Sequence, residues 1–246
     1  MRTRPVRVTP SGELVLRLAR QVEVLAADTA ARLGTYEAEV RLRVLPIAVN
    51  ADSLATWVLP ALAPLADSAC FDLRREDQEH TSALLRDGTV MAAITADAEP
   101  IAGCSSTRLG SMRYRPMAAP GFAQRWFAGG ATGAALAQAP MVVFDRNDSL
   151  QHRYLRRRGR GRTDPPAHHV PGSADFVSAV TLGLGWGMLP DLQTAAAERD
   201  GQLVDIDRRG AIDVTLHWQQ WRLRSPSLEH VASAVLAAAQ TGLHQH

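Results

Sequence analysis

Lysine is missing from this sequence, and all 27 basic residues are arginine. Set against 25 acids, they leave a formal charge of +2, too small for bulk charge to argue for a nucleic-acid or membrane partner. Beside so much alanine, the lack of lysine reads as codon bias rather than as a chemical requirement. Cysteine is scarce as well. Cys70 and Cys104 form no C-x-x-C motif and suggest no disulfide framework, which suits a reduced, cytosolic setting. No apolar run approaches the roughly 18 residues that a membrane-spanning helix needs. The start, M-R-T-R-P-V-R-V-T-P, has charge but no apolar segment behind it, so it is not a signal peptide. A cytoplasmic protein with no membrane partner is expected.

Catalytic signatures are missing too. There is no G-x-S-x-G, no P-loop, and no G-x-G-x-x-G opening a helix after a strand. G-L-G-W-G, Gly183 to Gly187, falls at a turn between a helix and a strand. His168-His169 and His244-Gln245-His246 lack metal-ligand spacing with partners. Neither an enzyme, a cofactor nor a metal site is expected.

The 246 residues, 46% of them hydrophobic, are enough for one or two cores. Thr9-Pro10-Ser11-Gly12-Glu13 is a helix start: Thr9 caps, Pro10 suits the first turn, and Glu13 complements the dipole. The helix should run to about Glu39. Its apolar or small positions, Val15, Leu18, Val22, Leu25, Thr29, Leu33 and Tyr36, step by three and four into a narrow seam. That seam packs either on its own domain or on a second chain. A long helix ahead of a compact domain favours the second, with Val15, Leu18, Val22 and Leu25 as dimer contacts.

From Val40 onward strands alternate with helices. Strands are expected at 41–49, 71–75, 89–95, 113–118, 141–144, 168–170, 186–189 and 215–223, and helices between them and at 228–243. Such alternation means α/β with mostly parallel sheets. Leu109 to Pro120 and Asp213 to Arg224, the latter with L-H-W-Q-Q-W, look like crossings between two halves. Two crossings make two lobes with a ligand cleft between them.

R-P-V-R-V-T-P-S-G-E-L followed by a long helix resembles the end of the wing and the start of the linker helix in LysR-type transcriptional regulators. A-V-N-A-D-S-L-A-T-W, L-R-R-E-D-Q-E-H-T and G-L-G-W-G-M-L-P resemble the arginine/lysine-responsive subgroup of that family. The resemblance covers nearly the whole chain. It implies a two-lobed, type 2 periplasmic-binding-protein-like effector domain behind a linker helix. It also implies a homodimer or homotetramer and a basic amino acid as signal, often controlling an amino-acid exporter or arginine-related genes. The family's N-terminal winged helix-turn-helix is not in this sequence, so promoter DNA is expected as a partner only through that domain. The expected layout is wing end and linker helix at 1–39, one lobe at 40–110 plus 218–246, and the other at 111–217.

Asn50-Ala51-Asp52-Ser53 joins a strand to a helix. Unpaired N–H groups and the dipole there suit a carboxylate, with Ser53, while Asp52 attracts an ammonium; together they describe a zwitterion. Equally, Asp52 or Ser53 simply caps the helix. Thr56 is a weaker contact, and Trp57 belongs to the core. Glu76-Asp77-Gln78-Glu79 gathers acids suited to a cationic side chain or forms a solvated acidic loop. Asp77 is the named candidate there. Thr95 ends a buried strand and either lines the cleft or merely closes the strand. In the second lobe Asp145, Ser173 and Asp175 match segments the family places around its ligand; Asp145 also suits a turn and Asp175 a helix dipole. The arginine run Arg153, Arg156, Arg157, Arg158, Arg160 and Arg162 reads as a solvated helix end and loop, or as contacts to nucleic-acid phosphates. The alternatives to a regulator are a stand-alone amino-acid receptor and a nucleic-acid-binding module built on that run.

Overall fold

Thr9 starts the first helix as its place before Pro10 predicts. Its hydroxyl accepts from the Gly12 N–H at 3.2 Å and its carbonyl from the Glu13 N–H at 2.9 Å, meeting donors a helix start leaves open. Helix α1 spans Pro10–Leu33. The structure, a computed structural model, describes residues 8–33, 43–75, 78–146, 148–159 and 164–245. The expected continuation of α1 to Glu39, with Tyr36, lies outside them.

The apolar seam of α1 is exposed: Val15, Leu18, Val22 and Leu25 keep 39–66% of their surface. A different face docks. Arg17 donates to the Ala102 carbonyl at 2.9 Å, Arg20 to the Asp87 carbonyl at 3.0 Å, and Asp28 accepts from the Ser227 hydroxyl at 3.0 Å. Val24, between them, is 7% exposed. Spacings near three and four set these four residues on one side of the helix.

The chain forms two compact units, Met1–Gly110 with Leu216–Thr241, and Ser111–Thr215 with Gly242–His246. Residues 242–246, expected in the first lobe, go with the second. Ser111 and His244 exchange backbone hydrogen bonds of 2.8 and 2.9 Å, and the His244 ring meets Asp191 at 2.7 Å.

In the first unit β1 (Arg43–Val49) pairs in parallel with β2 (Ala69–Arg75) and β3 (Ala92–Thr95). Leu45, Ile47 and Val49 are buried, as are Ala92, Ala93 and Ile94, because helices cover a parallel sheet on both faces. The helix after β1, α2, covers residues 51–65 in four pieces. It is α-helical at Ala51–Ser53, π at Leu54–Val58, α again at Leu59–Leu62 and 3-10 at Ala63–Leu65. Helix α3 is Gln78–Asp87, and a closing helix, α9 in chain order, is Pro226–Gly242.

Strands β4 (Cys104–Ala118) and β9 (Ile212–Trp221) carry the chain from one unit to the other and back. β9 runs antiparallel to β3, and β4 runs antiparallel to β7 (Gly187–Pro190) and β8 (Val204–Asp205). The expectation of mostly parallel sheets is corrected accordingly: a strand that returns the chain has to run against its neighbours. Both crossing strands start earlier than expected, β9 at Ile212 rather than Thr215. β4 begins at Cys104 rather than Arg113, next to Gly103, whose carbonyl accepts from the Arg222 N–H at 3.0 Å; further along, Ser111 and Thr215 share a hydroxyl hydrogen bond of 3.2 Å and Arg113 holds Asp213 with two bonds of 2.8 and 2.9 Å.

The second unit adds a parallel pair, β5 (Met141–Val143) and β6 (Ala167–His169). Its helices are α4 (Pro120–Trp126), α5 (Gly133–Gln138), α6 (Leu150–Arg158), α7 (Ser173–Thr181) and α8 (Asp191–Arg199). Met117, Val142, Phe176, Val180, Leu189 and Leu203 form a core cluster. Within G-L-G-W-G, Gly183 has φ +82° and a Cβ at Gly185 would stand 2.8 Å from the Pro140 carbonyl oxygen. These glycines answer to turn geometry and a close backbone approach.

Candidate functional site

Parallel strands send their carboxyl ends to one edge of the sheet, where the open N–H groups of the following helices also gather; ligands of α/β proteins bind at such edges. In the first unit that edge holds Asn50 and Ser53 after β1 and Thr95 at the end of β3. Val49 pairs with Ile94, so Asn50 and Thr95 occupy the next row. Asp77, expected with them, lies outside the described residues.

Asn50 caps α2 with extended backbone, φ −67° and ψ 152°, yet its side chain makes no capping bond. Its carbonyl accepts from the Leu54 N–H at 3.0 Å. Among the described residues the Asn50 Oδ1 and the Ser53 Oγ are buried with no hydrogen-bond partner, and Ser53 has no exposed surface at all. Leaving a buried hydroxyl unmet costs about 1–3 kcal/mol, and native structures rarely accept that without a reason. The simple reading, in which Ser53 caps its helix, is not what the geometry has.

The neighbouring candidates are engaged locally. Thr56 donates its hydroxyl to the Asp52 carbonyl at 2.6 Å. Thr95 is buried, and its hydroxyl accepts from the Asp97 N–H at 3.1 Å. Asp52 stands in the first turn of α2, half-buried. Trp57 is core, 7% exposed, as expected, but its indole N–H is another buried donor without a partner. Asn50, Ser53 and Trp57 step by three and four, a helical-face spacing.

One residue escaped the sequence reading. His217 on β9 pairs with Thr95 on β3, and its Nδ1 is buried with no partner among the described residues. Burial pushes the imidazole below its usual pKa, Arg108 adds to that, and Asp97 opposes it. The available signal was the H of L-H-W-Q-Q-W, a titratable residue between two buried neighbours, Leu216 and Trp218.

The second unit repeats the topology with another outcome. Val143 pairs with His169, so Asp145 and Ser173 each follow the carboxyl end of a parallel strand. Asp145 accepts from the Asp148 N–H at 2.9 Å. Ser173 is buried and accepts from the Gln193 amide at 2.8 Å. Asp175 folds back over Gly172, where an added Cβ would collide with its carboxylate.

The arginine run is partly structural. Arg158 forms an ion pair with Asp207, and Arg157 donates to the Ala211 carbonyl at 3.4 Å. Arg153 and Arg156 belong to α6, while Arg160 and Arg162 lie outside the described residues. Among the described residues no cluster of three metal-ligating side chains occurs, and no helix is long and apolar enough to cross a membrane.

Comparison with known proteins places this geometry in context. The family model described as LysR substrate binding domain matches residues 37–240. The chain is 40% identical over 248 residues to the HTH-type transcriptional regulator LysG of Mycobacterium tuberculosis, covering 100% of this chain and 80% of the relative. It is 39% identical over 249 residues to the lysine export transcriptional regulatory protein LysG of Corynebacterium glutamicum, covering 98% and 82%. A solved structure of full-length LysG from Corynebacterium glutamicum with bound effector Arg superposes with a TM-score of 0.86 at 36% identity, covering 99% of this chain and 83% of that one.

Proposed function

The chain belongs to the LysR-type transcriptional regulators and carries their type 2 periplasmic-binding-protein-like effector fold; from that premise we propose that it senses a basic amino acid, L-lysine or L-arginine, at the carboxyl edge of its first unit. The observation that carries the reading is Ser53, a fully buried hydroxyl without a partner at the start of a helix. An α-carboxylate set there meets the Ser53 hydroxyl and the open N–H groups of the first turn. Asn50 Oδ1, an acceptor lacking a donor, suits the α-ammonium, and Asp52 supplies the negative charge that favours it. Thr56 and Thr95 flank the ligand, and Asp77 suits its cationic side chain. In the second unit Asp145, Ser173 and Asp175 form a polar edge suited to the same class of ligand. The Corynebacterium glutamicum relatives, one named for lysine export and one solved with arginine, support the choice of signal.

In this reading the protein works in the cytoplasm as a homodimer or homotetramer joined through Val15, Leu18, Val22 and Leu25 of α1. Its target is promoter DNA of amino-acid export or arginine-related genes. Ligand acts by binding one arrangement of subunits better than another, and it shifts the balance by no more than that difference in affinity.

Thermal unfolding with each of the twenty amino acids tests this. At a hundred times its dissociation constant a ligand stabilises by about 2.7 kcal/mol, which for a chain of this size raises the midpoint by about 5–10 °C. A rise with lysine or arginine and no other amino acid supports the reading; no rise with either refutes it. Asp52→Asn should weaken that ligand's binding by about tenfold while the unliganded midpoint holds.

A further inference from the structure

We propose that His217 binds the effector's cationic nitrogen, its Nδ1 accepting an N–H of the ammonium or guanidinium group; this rests on the first unit's carboxyl edge being the effector site. Thr95 pairs with His217, and Val49 with Ile94, so Asn50, Thr95 and His217 form one row across three neighbouring strands. Row-mates in a sheet point their side chains to the same face, and neighbouring strands lie about 4.8 Å apart, so the Cα atoms of Asn50 and His217 are about 10 Å apart. A basic amino acid, charged at both ends, spans such a row.

Gln219, two residues on and therefore on the same face, shows what a satisfied polar group looks like there. Its amide donates to the Asp97 and Glu99 carbonyls at 3.0 and 2.8 Å, and its Oε1 accepts from the Ile101 N–H at 3.2 Å. Those bonds pin the loop after Thr95. His217 has no comparable role: its Nδ1 is buried and unmatched. The charged groups facing the ring are Arg108 from β4, which disfavours its protonation, and Asp97 from the loop after β3, which favours it; burial and Arg108 together outweigh Asp97 and lower the ring's pKa. A neutral imidazole with its hydrogen on Nε2 offers a lone pair at Nδ1. Protonation removes that lone pair and sets a positive charge against a cationic ligand. Ligand affinity therefore falls as the solution is acidified through the lowered pKa of His217.

The test is calorimetric titration of L-arginine and L-lysine into the full chain and into His217→Leu and His217→Asn, each at about pH 5.5 and about pH 7.5. His217→Leu should bind about tenfold to a hundredfold more weakly at the higher pH, the loss of one charge-assisted hydrogen bond. The Asn side-chain oxygen occupies nearly the place of Nδ1, so His217→Asn should keep affinity within about tenfold and lose the acid weakening seen in the parent. Parent and Leu variant agreeing within about twofold would overturn the assignment of His217 alone. A parent chain that binds neither amino acid would overturn the underlying site as well. Should His217→Leu fail to fold, the same affinity comparison between the parent and His217→Ala decides.

Discussion

Each unit places a helix start beyond the carboxyl ends of parallel strands, and the two starts differ in what their polar groups touch. After β1, Asn50 Oδ1 and Ser53 Oγ are buried without partners. After β5 and β6, Asp145 accepts a backbone N–H and Ser173 a glutamine amide, and the unmet acceptor beside them is Gln193 Oε1. The topology is shared and the polar accounting is not. A helix start whose side chains are satisfied internally holds its own loop together. One whose side chains are buried and unmet keeps hydrogen-bonding capacity that only another molecule can use.

The contrast can be broken most forcefully in the second unit. Arg115 grips Glu198 with two hydrogen bonds and Thr194 with a third of 2.8 Å. Arg115→Met leaves Glu198 and the half-buried Asp205 without their cation and should cost about 2–3 kcal/mol in denaturant unfolding. Ser173→Ala removes the acceptor for Gln193 and should cost about 1 kcal/mol. Ser53→Ala should act in the opposite direction. It deletes an unmet group, so the unliganded protein should gain up to about 1 kcal/mol while the midpoint rise with arginine or lysine disappears. Equal losses for Ser53→Ala and Ser173→Ala would abolish the distinction between the two starts.

Smaller effects sharpen it through pH. Arg115 holds the Glu198 carboxyl below its usual value. That contribution to stability is complete above the ordinary carboxylate range and is lost as pH falls through the lowered value. Glu198→Gln should therefore flatten the acid side of the stability profile. Asp205, 3.8 Å from the same guanidinium, is pushed up because burial outweighs Arg115. Its sign is reversed: protonating it favours the folded state, so Asp205→Asn should remove a small gain on acidification.

Much of the framework was legible. Thr9 caps as its neighbours predict, and the strands and helices expected from Phe71 to Glu198 all appear, every one but β4 within a few residues, because apolar periodicity and Gly/Pro punctuation act locally. The short β8 was not read, since two residues carry no period. β4 starts nine residues before the expected Arg113: Ser105, Ser106, Thr107, Gly110 and Ser111 argue weakly for a strand, and only pairing with β9 makes them one. The docking face of α1 was hidden because arginine side chains donating to distant carbonyls leave no apolar stripe. At the candidate site the residue types at Asn50 to Ser53 could be read, but not whether anything met them, and His217 was passed over as part of an aromatic strand.

By itself the sequence determined the order of elements, the helix start at Thr9, the apolar seam of α1 and the polar junctions that begin α2 and α7, all of which depend on residues within a few positions of one another. Tertiary structure alone decided the antiparallel return of β4 and β9, the docking of α1 through Arg17, Arg20 and Asp28, and the row that sets His217 beside Thr95. It alone decided, too, that Ser53 is buried unmet while Ser173 is buried and bonded. Whether a polar atom is satisfied depends on atoms brought from far along the chain, and local pattern carries no record of them.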